Sequence, residues 1–196
     1  MAGNSIAIAG GRVVPIEGEP VAGGTVLITD GKIAAVGGPD FMPPPGSEYV
    51  SARGKWVLPG LIDAHVHMHD RHSLVLLSGF GVTTALDMAC APPELLASLR
   101  GITGLTDIRS AGTPAVAPGS LHSHFPVIGP RGLVTGADQA RSFVAGRVAE
   151  GSDYIKIIVG NPGPSHDQAT LDALAAAARE YAKLSVAHAS SYEAVE

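Results

Sequence analysis

The sequence predicts an α/β protein in which a small β-rich unit precedes a longer run of alternating strands and helices. Two observations predict it. Up to about residue 55 the chain consists of short β-prone stretches broken by glycine. From Trp56 onward, apolar runs alternate with helix-like stretches, the pattern of βα repeats and a parallel sheet. That change of texture is the one domain boundary, and it divides the chain into residues 1–55 and 56–196.

In the first unit, strands are expected at 6–8, 11–15, 24–29 and 32–36, punctuated by Gly10-Gly11, Gly23-Gly24, Asp30-Gly31 and Gly37-Gly38. Asp30-Gly31 is a strong hairpin signal, because a type I′ turn needs positive φ at both central positions. Pro43-Pro44-Pro45-Gly46 forbids regular structure and reads as a loop. The unit therefore reads as antiparallel. In the second unit, strands are expected at 57–63, 82–87, 106–110, 154–159 and 184–188. Leu61 and Ile62 lead out of an apolar run typical of a buried strand. Helices are expected at 74–78, 93–99, 137–150 and 171–183. The last is rich in alanine, with Asp167 or Thr170 as its N-cap.

Composition excludes several function classes. A chain of 196 residues can bury a sizeable core. Its formal net charge of −5 gives no footing for nucleic acid, which wants a basic face. No apolar run is long enough to span a bilayer. Met1-Ala2-Gly3-Asn4-Ser5 lacks the basic start and apolar stretch of a secretory leader. The single cysteine, Cys90, excludes an internal disulfide framework and reads either as a reactive thiol or as a small residue packed just past a strand. A soluble, cytoplasmic protein with no membrane or nucleic-acid partner is the expectation.

Chemistry concentrates at the ends of the predicted parallel strands. His65 and His67 are spaced to point the same way, since strand side chains repeat every second residue, and two imidazoles so placed can hold one divalent metal. A pair of structural or surface histidines is the alternative. His188 ends the fifth predicted strand. Lys156 lies among Ile155, Ile157 and Ile158, where an unpaired ammonium is expensive to bury. Its side chain either reaches the strand end, pairs with a carboxylate such as Asp153, or has reacted as a neutral amine with carbon dioxide. The resulting carbamate is in effect a long carboxylate able to bridge two metal ions; burial favours it by lowering the amine pKa. Lys156 and His188 are one strand–helix–strand repeat apart, so adjacent strands can deliver both to one cluster.

Four segments carry a resemblance. They are Leu58-Pro-Gly-Leu-Ile-Asp-Ala-His-Val-His67, Gly81-Val-Thr-Thr-Ala-Leu-Asp-Met88, Ser152-Asp-Tyr-Ile-Lys-Ile157 and Val186-Ala-His-Ala189, and Asp30-Gly-Lys-Ile-Ala-Ala-Val36 joins them in the first unit. Together they resemble the metal-dependent amidohydrolase superfamily, in its imidazolonepropionase, prolidase-like and ochratoxin-amidase-like subgroup. The resemblance implies an incomplete TIM-type (β/α)8 barrel of about five βα units, preceded by part of a β-sandwich domain.

It also implies hydrolysis of amide or other C–N bonds at a binuclear, zinc-type centre. His65 and His67 would bind the more buried metal, carbamylated Lys156 would bridge, and His188 would bind the second. The family pattern adds a histidine ending the sixth strand and an aspartate base ending the eighth, whereas this sequence carries only about five predicted βα units. The chain alone is therefore expected to have little turnover. The alternatives are half of a two-chain enzyme, its partner chain supplying the remaining strands, and a non-catalytic binding partner. The complete form is expected to be a homo-oligomer acting on a small amide or amino-acid-derived substrate. Secondary candidates follow: His122, His124 and Arg109 as substrate contacts, and Asp63 and Asp87 as partners that orient a histidine. Arg109 has an exposed ion pair as its alternative. His69 and His72 read as residues of the first loop, and His166 as a polar loop residue.

Overall fold

The structure, a computed structural model, describes residues 5–160, 163–192 and 194–195; Met1 to Asn4, read above for a leader, lie outside them. The chain forms two compact units, divided between Gly60 and Leu61.

The first unit is a single five-stranded sheet of β1 (Ser5–Val13), β2 (Val21–Thr29), β3 (Lys32–Gly37), β4 (Glu48–Ser51) and β5 (Trp56–Val57). The two strands expected at 6–8 and 11–15 are one continuous β1, irregular in register between Ala9 and Val13. Gly11 is required there: a Cβ would sit 2.9 Å from both Ala52 Cβ and Val57 Cγ2. Asp30 (φ 50°) and Gly31 (φ 74°) make the positive-φ turn that joins β2 and β3 antiparallel.

The all-antiparallel reading is corrected, because β1 pairs parallel with both β4 and β5. The chain leaves β3 at one edge, passes the proline loop, and returns beside β1 at the other side of the sheet. A crossover of that kind makes the pair parallel. The described residues show one sheet layer here, and the expected sandwich is not among them.

In the second unit every strand pair is parallel. The order is β6 (Leu61–Val66), α1 (Arg71–Gly79), β7 (Val82–Asp87), α2 (Pro93–Leu99), β8 (Asp107–Ser110), α3 (Ala137–Ala149), β9 (Ile155–Val159), α4 (Gln168–Glu180) and β10 (Ser185–Ala189). Strands β6, β7 and β8 form one sheet, and β9 and β10 another. The segment after β8 joins them: Ala115 N–H donates to Lys156 O (2.8 Å), and Ile158 N–H donates to Ala115 O (2.9 Å). Short 3-10 turns at Leu121–His124 and Pro130–Gly132 fill the excursion between β8 and α3.

The strand expected at 57–63 divides in two. Val57 pairs with Val13 in the first unit, while Leu61 begins the parallel sheet. Pro59, which has no N–H, and Gly60 interrupt the ladder between them. Nor is the start of this strand buried: Leu61 is 58% and Ile62 64% exposed. The reason is position, since β6 pairs only with β7 among the described residues. Helix α4 starts three residues before its expected first turn, because Asp167 is the cap and accepts from Thr170 N–H at 2.8 Å.

Side-chain parity sorts the unit into two faces. Ile155 and Ile157 join Val144 of α3 and Leu174, Ala177 and Ala178 of α4 in one core cluster. Ile108 joins Leu74 of α1 and Leu96 and Leu99 of α2 in another. These residues carry the helical layer. The alternate positions, Lys156 and Ile158 on β9 and His188 on β10, face the other way and line a cavity with His65 and His67.

Candidate metal centre

The cavity has a volume of about 400 Å³ and lies at the C-terminal ends of the strands, where a parallel βα unit begins its loops. His65 is in β6 and His67 follows its last residue, so strand alternation carries both imidazoles to the same side; their ring centroids are 5.5 Å apart. Lys156, in the middle of β9, is only 3% exposed. His188, on β10, lies two register positions beyond it on the same face, since Lys156 pairs with Val186 and Ile158 with His188. The four residues expected to bind metal therefore share one cavity.

Burial and mutual proximity shift several of these groups toward their neutral forms. Burial pulls the Lys156 amine below the usual lysine range. Burial likewise lowers His65, with further depression from the neighbouring Lys156, His67 and His188. His188 is lowered by burial and then by Lys156 and His67. Each shift favours the neutral form, the one with a lone pair to donate. Asp153, a candidate partner for Lys156, is instead engaged by Arg100 (2.6 Å) and Arg109 (3.8 Å).

The donor chemistry fits a metal centre, with three imidazoles and a buried, depressed lysine on one wall. Among the described residues, no three His, Cys, Asp or Glu side chains form a metal-binding group by themselves. A metal centre here would thus depend on the lysine. As an ammonium it has no lone pair; as a carbamate it supplies the anionic oxygens that the imidazoles lack.

The remaining candidates separate. His122 lines the cavity, 4.9 Å from the His188 ring and 5.3 Å from Phe125, and burial lowers its pKa. His124 is not part of the lining. Arg109 is outside it too, half-exposed and paired with Asp107 at 3.2 Å. His69, expected only as a first-loop residue, reaches the cavity, whereas His72 lies in α1 and His166 is buried near Thr170.

Asp63 accepts the backbone N–H of His65 at 3.1 Å. Fully buried Asp87 accepts from Met68 N–H (2.8 Å) and from the Ser110 hydroxyl (2.5 Å). The contacts seen for both carboxylates are with the backbone that carries the histidines and, for Asp87, with a serine hydroxyl. Burial pushes the Asp87 carboxyl above the usual range, against the two hydrogen bonds. The Tyr154 hydroxyl donates to Asp87 O at 2.7 Å and so ties the start of β9 to the end of β7. Sequence reading missed the apolar wall of Met88, Phe125, Val127 and Ile128. Its only signal was the short apolar run following Leu121-His122-Ser123-His124 in a loop.

No protein-family model matches the chain. An adenine deaminase of Paracoccus denitrificans (strain Pd 1222) is 30% identical over 135 residues, covering 64% of this chain and 21% of that protein. A dihydroorotase of Pelotomaculum thermopropionicum is 46% identical over 67 residues, covering 32% of this chain and 14% of that protein. The solved structure of a Xaa-Pro dipeptidase with methionine bound in its active site superposes with a TM-score of 0.78 at 20% identity, covering 94% of this chain and 56% of that one. An atrazine chlorohydrolase of Arthrobacter aurescens, solved in complex with zinc, superposes with a TM-score of 0.70 at 17% identity, covering 94% and 53%.

These relatives and structural neighbours indicate the metal-dependent amidohydrolase superfamily. The chain spans about half the length of these solved neighbours and about a fifth or less of the curated relatives. The mixed α/β fold is consistent with an incomplete barrel of the kind these neighbours have. Among the described residues, no helix is long and apolar enough to cross a membrane.

Proposed function

We propose that the complete protein hydrolyses a C–N bond of a small amide or amino-acid-derived substrate at a binuclear metal centre. The observation that carries the reading is the convergence of His65, His67, Lys156 and His188 on one cavity. The relatives add support, since adenine deaminase and dihydroorotase are names of C–N hydrolases. The zinc in the atrazine chlorohydrolase structure makes zinc the first metal to test.

His65 and His67 would hold one ion from the end of β6, and His188 the second from the end of β10. Lys156 would bridge after modification. Its neutral amine nitrogen attacks the carbon of carbon dioxide, an N–C bond forms, one proton is released, and a carbamate anion remains. Burial promotes the first step by keeping the amine unprotonated. Metal bound in this set would lower the pKa of a coordinated water and polarise the scissile carbonyl. Among the described residues no carboxylate lines the cavity, so the aspartate base that the resemblance implies would come from elsewhere in the complete protein.

The test is Lys156→Ala in the complete protein, with zinc content measured by mass spectrometry and a ¹³C-bicarbonate-labelled sample examined for a carbamate resonance. The expected result is loss of that resonance, of bound zinc and of turnover, with the melting transition retained. Unchanged metal content and turnover in the variant would refute the bridging role.

A further inference from the structure

We infer that the site takes a neutral amide bearing an apolar side chain, seated against Met88, Phe125, Val127 and Ile128, and that it rejects the cationic counterpart. This inference rests on the hydrolase reading and names the substrate class for the same cavity.

The wall is built into the sheet. Ile128 is 4% exposed and packs with Val116 and Ile158 in a buried cluster, with Val127 against it. Ile158 is two residues along β9 from Lys156, and the Val116 segment is held to β9 through the Ala115 hydrogen bonds. Within the loop, Phe125 N–H donates to His122 O (3.1 Å) and Ile128 N–H donates to Phe125 O (2.9 Å), which fixes the turn. Phe125 stands edge-on to His122, and that ring stands edge-on to His188. The apolar surface is thereby held at a set place beside the proposed ligands. Phe125 remains 44% exposed, an aromatic face left for a ligand to cover.

Charge around the cavity decides the sign of the discrimination. Among the described residues its titratable lining consists of histidines and Lys156, with no Asp, Glu or Arg. A cationic side chain pressed on this wall would lose its hydration against Met88, Phe125, Val127 and Ile128, none of which carries a charge to pair with it. An aliphatic side chain of the same length loses nothing and buries apolar surface. Arg109, the guanidinium that could have drawn an anionic substrate, is engaged by Asp107 and Asp153 outside the cavity.

The experiment uses two isosteric probes, N-acetyl-norleucinamide and N-acetyl-ornithinamide, with the complete metal-loaded protein. Binding is followed by saturation-transfer NMR and hydrolysis by amine release. The norleucine amide should bind at least roughly tenfold more tightly. The preference should fall in Phe125→Ala and shrink or reverse in Val127→Asp, each variant checked for its native melting transition. Equal binding of the two amides, binding of neither, or a preference unmoved in both variants would overturn the inference. Preferential binding without hydrolysis of either amide would support the apolar site and count against the hydrolase reading. Hydrolysis of both with no preference would do the reverse.

Discussion

Replacing Asp87 with alanine tests whether a buried carboxylate holds in place the strand end that bears the proposed ligands. Asp87 is fully buried and accepts two hydrogen bonds, from Met68 N–H at 2.8 Å and from the Ser110 hydroxyl at 2.5 Å. Alanine leaves both donors buried without a partner, at about 1–3 kcal/mol each. Relief of the carboxylate's own desolvation, visible in its raised pKa, offsets part of that, so the net loss should be about 2–4 kcal/mol. The Asp87→Asn substitution keeps an acceptor for Met68 N–H and places an amide against the Ser110 oxygen, so it should cost only about 1 kcal/mol. Met68 follows His67 directly. Freeing its N–H should loosen that proposed ligand and, on the metal-centre reading, weaken zinc binding by about 10–100-fold.

The pH dependence has a definite sign. The folded pKa lies above the reference value of 3.8, so the folded state binds the proton more firmly. Stability contributed by this group is therefore largest at low pH and falls as pH rises from 3.8 through the raised folded value. Asp87→Asn should flatten that segment of the profile. The assays are urea unfolding of the chelator-treated complete protein between about pH 4 and 8, and zinc titration near neutral pH. An alanine variant within about 0.5 kcal/mol of the parent, with zinc affinity unchanged, would refute the positioning argument.

Three further outcomes are expected. Leu174→Ala empties a fully buried site between α4 and β9 and should cost about 2–5 kcal/mol in urea unfolding, with zinc stoichiometry retained in the folded protein. Cys90 is 1% exposed, and burial pushes its thiol up to about 12, so it should resist a thiol reagent at about pH 8 until the protein unfolds. Because that folded pKa is raised, the thiol's contribution to stability declines as pH climbs from 9.0 toward about 12; labelling of the native protein at the rate of a free thiol would contradict the assignment. Gly31→Ala should destabilise by about 1 kcal/mol through φ +74° alone, nothing lying within 4 Å of the added Cβ, while Gly38→Ala, equally open and without positive φ, should be near neutral in the same thermal melt.

Short-range chemistry explains what was legible in advance. Val82–Asp87 and Pro93–Leu99 lie where apolar runs and a Pro-initiated helix put them, and Asp30-Gly31 turns as its positive-φ requirement dictates. Departures occur where the partner of a segment is distant in sequence. Strand β4 was not anticipated, because Glu48–Ser51 is exposed along its whole length and is defined only by pairing with β1. Val57 and Leu61 read as one strand, yet they belong to different sheets. The ligand candidates were legible because alternation along a strand is a local property, and His65, Lys156 and His188 are each marked by the strand that bears them. The apolar wall was not, since Phe125, Val127 and Ile128 lie in a loop with no period to betray which way it folds.

By itself, then, the sequence determined the βα repeat, the caps and turns, and the residue types able to bind a metal, all of which depend on neighbours a few positions away. Tertiary structure alone decided that Asp87 reaches Met68 and Ser110 and that Asp153 takes Arg100 and Arg109. It also decided that His122 stands edge-on to His188 beside an apolar wall. Those contacts join segments whose meeting depends on how the sheet is ordered and how one loop returns to it, and no local propensity encodes that return.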